Sequence, residues 1–522
     1  MGLYDYRNGI RVWVSNYLVL TGSIGLAILL IACFNFINLS IALSIRRNKE
    51  AGIKKVVGAK KRDIVIQFLL ETFLVTIISM LVAIMIVELI RSGFNARFGD
   101  DIPLSLGNLS VLVCLTSIVI FTALVSGLVP VFYFASTNPI LVLKGGYNTN
   151  NSFASFRKGL VIFQFVIPIL MIILKLFVKG QDSYLKKMDI GFNKDRLFVV
   201  NNPPETDIHF GSIKSDLLTL PQMEAASFSN CVPTGRNTPF TTDVKWYSKN
   251  NQDKVNFWLI NTDYDFSKVV NLKITGGRFF DPGFPSDSVN YVINDVAARI
   301  MNYPIPIGQQ LTVEGKTGTI IGMFKDFYTV GLGMYVPTII RINSGSRSNL
   351  LIRFSDESKE DMTGQLKLIY SRYASDNTYQ VKSFREIYDN TELQGVSNLT
   401  GLASGIAILL ACLGLFGLSS FNTVRRTKEI GVRKVNGACT IDIVLLLIQS
   451  YTRWIVVAFL IAAPIAFLVG NMWLRRFNNH ISFPWWAFVA GFLAVYSIAI
   501  LVVIGQTYRI ARRNPVDALR YE

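Results

Sequence analysis

Apolar residues along this chain gather into seven runs long enough to cross a bilayer, at about residues 18–44, 64–90, 109–134, 159–178, 399–424, 441–469 and 487–507. A hydrocarbon core about 30 Å thick takes roughly 20 residues of helix. Lipid offers the backbone amides no other partner, so each run predicts a transmembrane helix. Between the fourth and fifth runs, residues 179–398 change character, with charges, Gly/Pro turns and short β-like stretches at Arg196–Val200, Thr312–Met323 and Leu350–Phe354. A helical pattern falls near 357–373. This region predicts an α+β domain of two lobes, with boundaries near 280 and 345 at the turn clusters Asp281-Pro282-Gly283 and Asn343-Ser344-Gly345.

The pattern also repeats. Arg46-Arg47-x-Lys49-Glu50-x-Gly52-x-x-Lys55-Val56-x-Gly58-Ala59 returns, 379 residues later, as Arg425-Arg426-x-Lys428-Glu429-x-Gly431-x-x-Lys434-Val435-x-Gly437-Ala438. Of the 20 positions from 46 to 65, 12 are identical, which chance does not supply. A second echo, Asn138-Pro139-Ile140-Leu141-x-Leu143 against Asn514-Pro515-Val516-x-x-Leu519, closes each unit. Each unit is three helices with a basic loop after the first. Both units share one orientation, so they are parallel repeats about an axis along the membrane normal. The fold class is thus a polytopic α-helical membrane protein of about seven transmembrane helices, in two three-helix repeats, with one α+β extracytoplasmic domain. Its divisions fall at 1–17 (extracytoplasmic segment), 18–145 (first module), 146–178 (linker and fourth helix), 179–398 (extracytoplasmic domain) and 399–522 (second module).

Charge fixes the orientation. The chain carries 52 Lys+Arg against 35 Asp+Glu, a net charge of +17, although 51% of it is hydrophobic and its mean hydropathy is +0.39. Segments 45–63, 135–158, 425–440 and 508–522 hold 20 Lys/Arg and 5 acids, so 15 of the 17 net charges lie there. Positive-inside bias puts all four in the cytoplasm and leaves the large domain outside. The basic balance is explained by topology, which removes the case for nucleic-acid binding. The five cysteines are scattered, with Cys231 alone outside, and the two histidines, His209 and His480, cluster with no carboxylate or cysteine. A structural disulfide and a His-based metal site are therefore not expected.

Within 46–63, Ile53, Val56 and Val57 form an apolar stripe among lysines, as in a short helix lying in the membrane interface. Positive-inside bias asks only for charge. It does not ask for Glu50/Glu429, Gly52/Gly431 and Gly58/Gly437 at matching places, whereas two docking sites for a two-fold cytoplasmic partner would. These duplicated loops resemble the coupling segments of the FtsX-like, MacB-type ABC transporter permeases. Leu410–Leu418, Met188–Asp195 and the closing Asn-Pro segments also fit. Ser227–Asn230, Gly276–Phe280, Tyr291–Asn294 and Gly322–Phe327 are similar to the strands and turns of a MacB-type periplasmic core domain.

The resemblance implies a permease subunit that couples a separate cytoplasmic ABC-type ATPase dimer to efflux, lipoprotein or peptide export, or control of an envelope enzyme. Its ATPase-coupling residues would be Arg46, Arg47, Lys49, Glu50, Gly52, Lys55 and Gly58, with Arg425, Arg426, Lys428, Glu429, Gly431, Lys434 and Gly437. ATP and Mg would be bound by the partner and no cofactor by this chain. Membrane lipids and a periplasmic adaptor or envelope protein complete the expected partners, in the bacterial inner membrane. Relatives with two modules usually carry eight helices and two ectodomains, so a preceding helix and ectodomain are expected before the segment that opens here. The competing class is a membrane-anchored sensor or scaffold with a ligand-binding ectodomain, which would not need two matching cytoplasmic loops.

No Gly-x-x-x-x-Gly-Lys-Ser/Thr phosphate loop occurs in the sequence, and no catalytic dyad or triad stands out, so no enzymatic site is assigned. Glu71 and Arg453 lie near the cytoplasmic entrance of equivalent helices, and a pairing between them across the repeats is one expectation; snorkelling is the other. Lys175 and Glu88 stand close enough to the outer surface to snorkel. Gly401, Gly405, Gly414 and Gly417 predict close helix packing, and Asn35 and Asn38 predict hydrogen bonds to a neighbouring helix.

Overall fold

The computed structural model describes residues 9–42, 53–54, 57–98, 107–136, 151–188, 194, 196–201, 209–220, 222–233, 239–247, 255–329, 334–343, 348–355, 359–373, 379–389, 392–425, 433, 436–437 and 439–511. Among them, seven helices are long and apolar enough to cross a membrane. These are α1 (Gly9–Ala42), α2 (Lys61–Phe98), α3 (Leu109–Ser136), α4 (Asn151–Lys187) and, after the intervening domain, α10 (Glu392–Arg425), α11 (Thr440–Leu474) and α12 (Trp486–Ala511). All seven coincide with the apolar runs of the sequence. The chain forms two compact units, one built on Tyr17–Phe177, Ser397–Gly470 and Phe483–Glu522, the other on Val178–Val396 and Asn471–Ser482.

In the membrane unit, α4 is the most enclosed helix. Phe165, Ile169, Ile173 and Phe177 recur every four residues and are buried in one cluster with Ala411 of α10, Ala458, Ala462 and Ala466 of α11, and Ala487 and Ala499 of α12. Lipid gives helices no hydrophobic reason to associate, so close approach through small residues supplies the packing energy. Gly470 shows this directly, because a Cβ there would stand 2.1 Å from Cε2 of Phe177. Helices α2 and α3 pair across Gly127, which lies against Leu69 and Thr72. The remaining face of α2, with Leu70, Leu74, Ile78, Leu81, Met85 and Leu89, is exposed and suits contact with lipid tails.

The extracytoplasmic unit is built on a mixed sheet. Its strands are β1 (Leu197–Asn201), β2 (Met223–Ser229), β3 (Phe240–Thr241), β4 (Val244–Lys245), β5 (Phe257–Thr262), β6 (Ile274–Gly277), β7 (Tyr291–Asn294), β8 (Gln310–Val313), β9 (Lys316–Phe324), β12 (Thr338–Ile342), β13 (Asn349–Phe354) and β14 (Gln380–Ser383), with β10 (Tyr328–Thr329) and β11 (Met334–Tyr335) as a separate hairpin. The order among the described residues is β14-β1-β13-β2-β5-β12-β7-β9-β8-β4, with β3 beside β5 and β6 beside β9. Pairs β12·β5 and β7·β9 are parallel. The helices between are α5 (Phe210–Leu218), α6 (Phe266–Val270), α7 (Asp295–Met301), α8 (Lys359–Tyr370) and α9 (Phe384–Asp389).

Period-two geometry sends successive side chains to opposite faces, and here both faces are apolar. Phe198 and Val200 join one cluster under α5 and α8, while Leu197 and Val199 point into another with α6 and α9. Strand β5 divides likewise: Phe257 and Leu259 pack with α7, and Trp258 and Ile260 with the shared opposite core. Sheets covered on both faces read as continuous apolar runs, which is why these segments are plain in the sequence. On one face the clusters separate into 198–228 with 350–379, and 244–339. A lobe boundary near 345 matches that division, whereas the expected one near 280 falls inside the second cluster, between β6 and β7. The turn at 281–283 is held within its lobe by Asp287.

Asp287, fully buried, accepts from Arg278 Nη1 and Nη2 at 2.5 and 2.9 Å, from the Asp281 amide at 3.0 Å and from Asn290 Nδ2 at 3.2 Å. Burial alone would raise its pKa, but these donors, Arg278 foremost, hold the carboxyl below the usual carboxylate range. Burial pushes the Cys231 thiol up to about 12, which leaves it unreactive at neutral pH. A depressed Asp stabilises the fold above its unfolded pKa of about 3.9, and that contribution is lost as pH falls through the folded value. Asp287→Asn is expected to destabilise the extracytoplasmic unit by about 2–3 kcal/mol, the loss of charge-assisted hydrogen bonds. The measurement is the denaturant midpoint of the full chain at pH 7. The difference between parent and variant should shrink below pH 4.

Candidate functional site

The duplicated loops are the candidate site, and the helix that follows each one begins in the same way. Helices α2 and α11 start at Lys61 and Thr440, 379 residues apart. The Asp63 carboxylate accepts from the Lys60 amide at 3.0 Å, and Asp442 accepts from the Cys439 amide at 2.9 Å. Each aspartate thus satisfies an amide that the helix start leaves without a partner, and its charge favours the positive end of the helix dipole. Just before, Gly58 and Gly437 hold φ at +104° and +92°. An L-residue enters that region only under strain, so glycine is required at both turns.

In the first loop, the Val57 amide donates to the Ile53 carbonyl at 3.0 Å and the Ala59 amide to the Lys54 carbonyl at 2.9 Å. The first of these is the four-residue step of the short helix expected there, and the second spans five residues as the chain turns at Gly58. It leaves Ile53 and Val57 on the surface, Val57 being 83% exposed. Lys54 Nζ donates to Gln67 Oε1 at 3.1 Å, and Gln67 Nε2 to Glu71 Oε1 at 3.1 Å, which ties the loop to α2. In the second loop Arg433, Asn436, Gly437 and Cys439 are exposed. The coupling residues Arg46, Arg47, Lys49, Glu50, Gly52, Lys55, Arg426, Lys428, Glu429, Gly431 and Lys434 lie outside the described residues, and Arg425 closes α10.

Other expected residues are placed unevenly. Glu71 and Arg453 are both exposed, and no ion pair among the described residues joins them. Glu88 pairs with Arg91 at 3.3 Å. Asn35 Nδ2 donates to the Leu410 carbonyl at 2.6 Å. Gly414 lies against Asn35 and Gln164, Gly417 against Leu39, and Gly401 against the Lys175 side chain. Gly405 differs from the packing expectation, because no atom lies within 4 Å of where its Cβ would stand. Gly405 lies on the outward side of α10, opposite the buried side set by Ala403 and Ala407.

Sequence reasoning missed the tie between the α11–α12 connection and the extracytoplasmic domain. Fully buried Gln181, on the outer part of α4, donates to the Asn479 carbonyl at 2.8 Å and accepts from the Ile481 amide at 3.0 Å. Asn479 Nδ2 reaches Tyr335 Oη at 3.2 Å, and Trp473 and Phe477 pack on the domain core. Isolated amides give no pattern to detect. The one available signal was the Trp/Phe content of a short exterior loop.

Comparison with known proteins agrees with the repeat. The family model for the FtsX-like permease C-terminal region matches residues 22–139 and again 401–515. The model for the MacB-like periplasmic core domain matches 169–368. An ABC transporter permease of Bacillus subtilis (strain 168), YknZ, is 26% identical over 283 residues, 49% of this chain and 68% of that protein. The macrolide export ATP-binding/permease protein MacB of Campylobacter jejuni is 29% identical over 125 residues, 24% of this chain and 19% of that protein. MacB of Rhodopirellula baltica is 24% identical over 277 residues, 44% and 40% respectively. The chain therefore spans less than half the length of these MacB relatives. The crystal structure of the periplasmic region of MacB from Actinobacillus actinomycetemcomitans aligns with 41% of this chain and 98% of its own, at 13% identity and a TM-score of 0.29. With its two permease matches set at the two copies of the repeat and the core-domain match between them, the chain belongs to the FtsX-like, MacB-type ABC transporter permeases, as a multi-pass protein of the bacterial inner membrane whose α+β domain is extracytoplasmic.

Proposed function

We propose that this permease transmits the work of a separate cytoplasmic ABC-type ATPase dimer to its extracytoplasmic domain. The observation that supports the reading is the matched geometry of two cytoplasmic turns 379 residues apart, Gly58 with Asp63 and Gly437 with Asp442. Backbone shape conserved between two loops of one chain suits two equivalent clefts on a two-fold partner.

The helices beside the second loop supply the route outward. Helix α10 ends at that loop and begins at Glu392, with Leu393 in the extracytoplasmic core. Helix α11 starts from the loop and leads into Asn471–Ser482, which belongs to the same outer unit. These continuous helices, α11 with Pro464 inside its span, are the path by which displacement of the loop would reach Gln181 and Asn479. ATP and Mg belong to the partner in this reading, because the chain lacks a phosphate-binding loop. The motion would drive efflux, lipoprotein or peptide export, or an envelope enzyme, with membrane lipids and an exterior adaptor as further contacts.

Changing Glu50 and Glu429 together to Lys is expected to abolish co-purification of an ATPase with the tagged chain from its native host. If no ATPase accompanies the folded parent, the sensor or scaffold reading takes its place. Gln181→Leu removes both hydrogen bonds to the 479–481 backbone and costs about 1–3 kcal/mol locally. ATPase binding should survive this change while ATP-dependent protease protection of the extracytoplasmic domain is lost.

A further inference from the structure

Helices α1 and α10 are the first helices of the two repeats, and the residues they bring together are related by the repeat itself. One apolar cluster, together with Ile167 and Met171 of α4, holds Ile24 and Ile31 of α1 and Ala403 and Ala407 of α10, with Ile28 and Leu410 partly buried against it. Under the 379-residue offset these are the same positions: 24 and 403, 28 and 407, 31 and 410. The next pair, Asn35 and Gly414, is in contact, since a Cβ on Gly414 would stand 2.1 Å from Asn35 Oδ1. One turn further, Leu39 lies 3.6 Å from the Cβ position of Gly417. The positions equivalent to that pair, Asn38 and Leu418, are each 3% exposed. Equivalent residues meet only where a two-fold axis passes between them. Positions 24, 28, 31 and 35 share one face of α1 and their equivalents share one face of α10, and the seam between them closes at Asn35 and Gly414.

The seam is equivalent in position but unequal in size. At equivalent positions α1 carries isoleucine where α10 carries alanine twice, at 24/403 and 28/407, and Asn35 stands against Gly414, while Ile31 and Leu410 match in size. Asn35 uses the space over Gly414 to donate to the Leu410 carbonyl at 2.6 Å. Beside it Gln164 of α4, 1% exposed, donates to the Ala411 carbonyl at 2.8 Å. A Cβ on residue 414 would stand 2.2 Å from Gln164 Nε2, so the one glycine admits both amides.

We infer that this seam is keyed for unlike helices: α1 fits the small-residue face of α10 and does not fit a second α1, with Asn35 and Gly414 as the residues that set the choice. Two α1 helices packed alike would bring two asparagines and two pairs of isoleucines into the space that holds one of each. Two α10 helices would leave voids at the glycine and alanine levels. The pairing of repeats within one chain is thereby favoured over exchange between copies.

The test uses the full chain in membranes, with the five cysteines replaced and Leu39→Cys and Gly417→Cys introduced, oxidised and scored for a cross-linked peptide by mass spectrometry. The parent should cross-link at the mass of one chain. Gly414→Asn, which sets Asn against Asn, should lower the yield at least fivefold, and Asn35→Gly with Gly414→Asn should restore more than half of it. Resistance of the extracytoplasmic domain to protease in each variant confirms folding; a variant that lacks it is replaced by Gly414→Ser, expected to lower the yield at least twofold. Absence of the cross-link in the parent, its appearance at twice the chain mass, equal yields in all variants, or no recovery in the double variant would overturn the assignment.

Discussion

A backbone amide in lipid has no partner but its own helix, and this restriction governs the molecule. It forces every membrane segment to be helical over its full span and confines irregular backbone to the two surfaces. The informative parts are therefore the places where helices stop. On the cytoplasmic side the two duplicated loops each carry a positive-φ glycine and an aspartate that takes up the free amide at the start of the next helix. On the outer side, the connection between α11 and α12 lies in the extracytoplasmic unit, where Gln181 binds it.

Helix association then has to be achieved without a hydrophobic driving force. The membrane unit answers with small residues under large ones: Gly470 under Phe177, alanines of α11 against α4, and Gly414 beneath two amides. The extracytoplasmic sheet, surrounded by water, uses the opposite strategy and buries large aliphatic and aromatic side chains on both faces. One chain thus displays two packing rules, each set by its solvent.

Much of this was legible in the sequence, for reasons that differ by element. The seven spans are plain because lipid demands long uninterrupted apolar runs. The repeat is plain because turn geometry fixes residue type, as at Gly58 and Gly437. The lobe boundary near 280 was misplaced because a turn cluster marks a bend whether or not the core divides there, and Asp287 holds this bend inside its lobe. Gly405 was read as a packing residue because spacing gives a helix's period but not the direction of its faces. Gln181 and Asn479 escaped notice because a single amide acquires its meaning only from a partner 298 residues away.

The proposed function requires that displacement of the cytoplasmic loops reach the extracytoplasmic unit. It is tested most directly by hydrogen exchange of the 471–482 segment in membranes holding this permease with the proposed ATPase partner, with and without a non-hydrolysable ATP analogue. The account predicts that nucleotide alters exchange in this segment and that substituting valine at Gly58 and Gly437 abolishes the change. Exchange that ignores nucleotide, in a complex whose ATPase is bound and active, would contradict it.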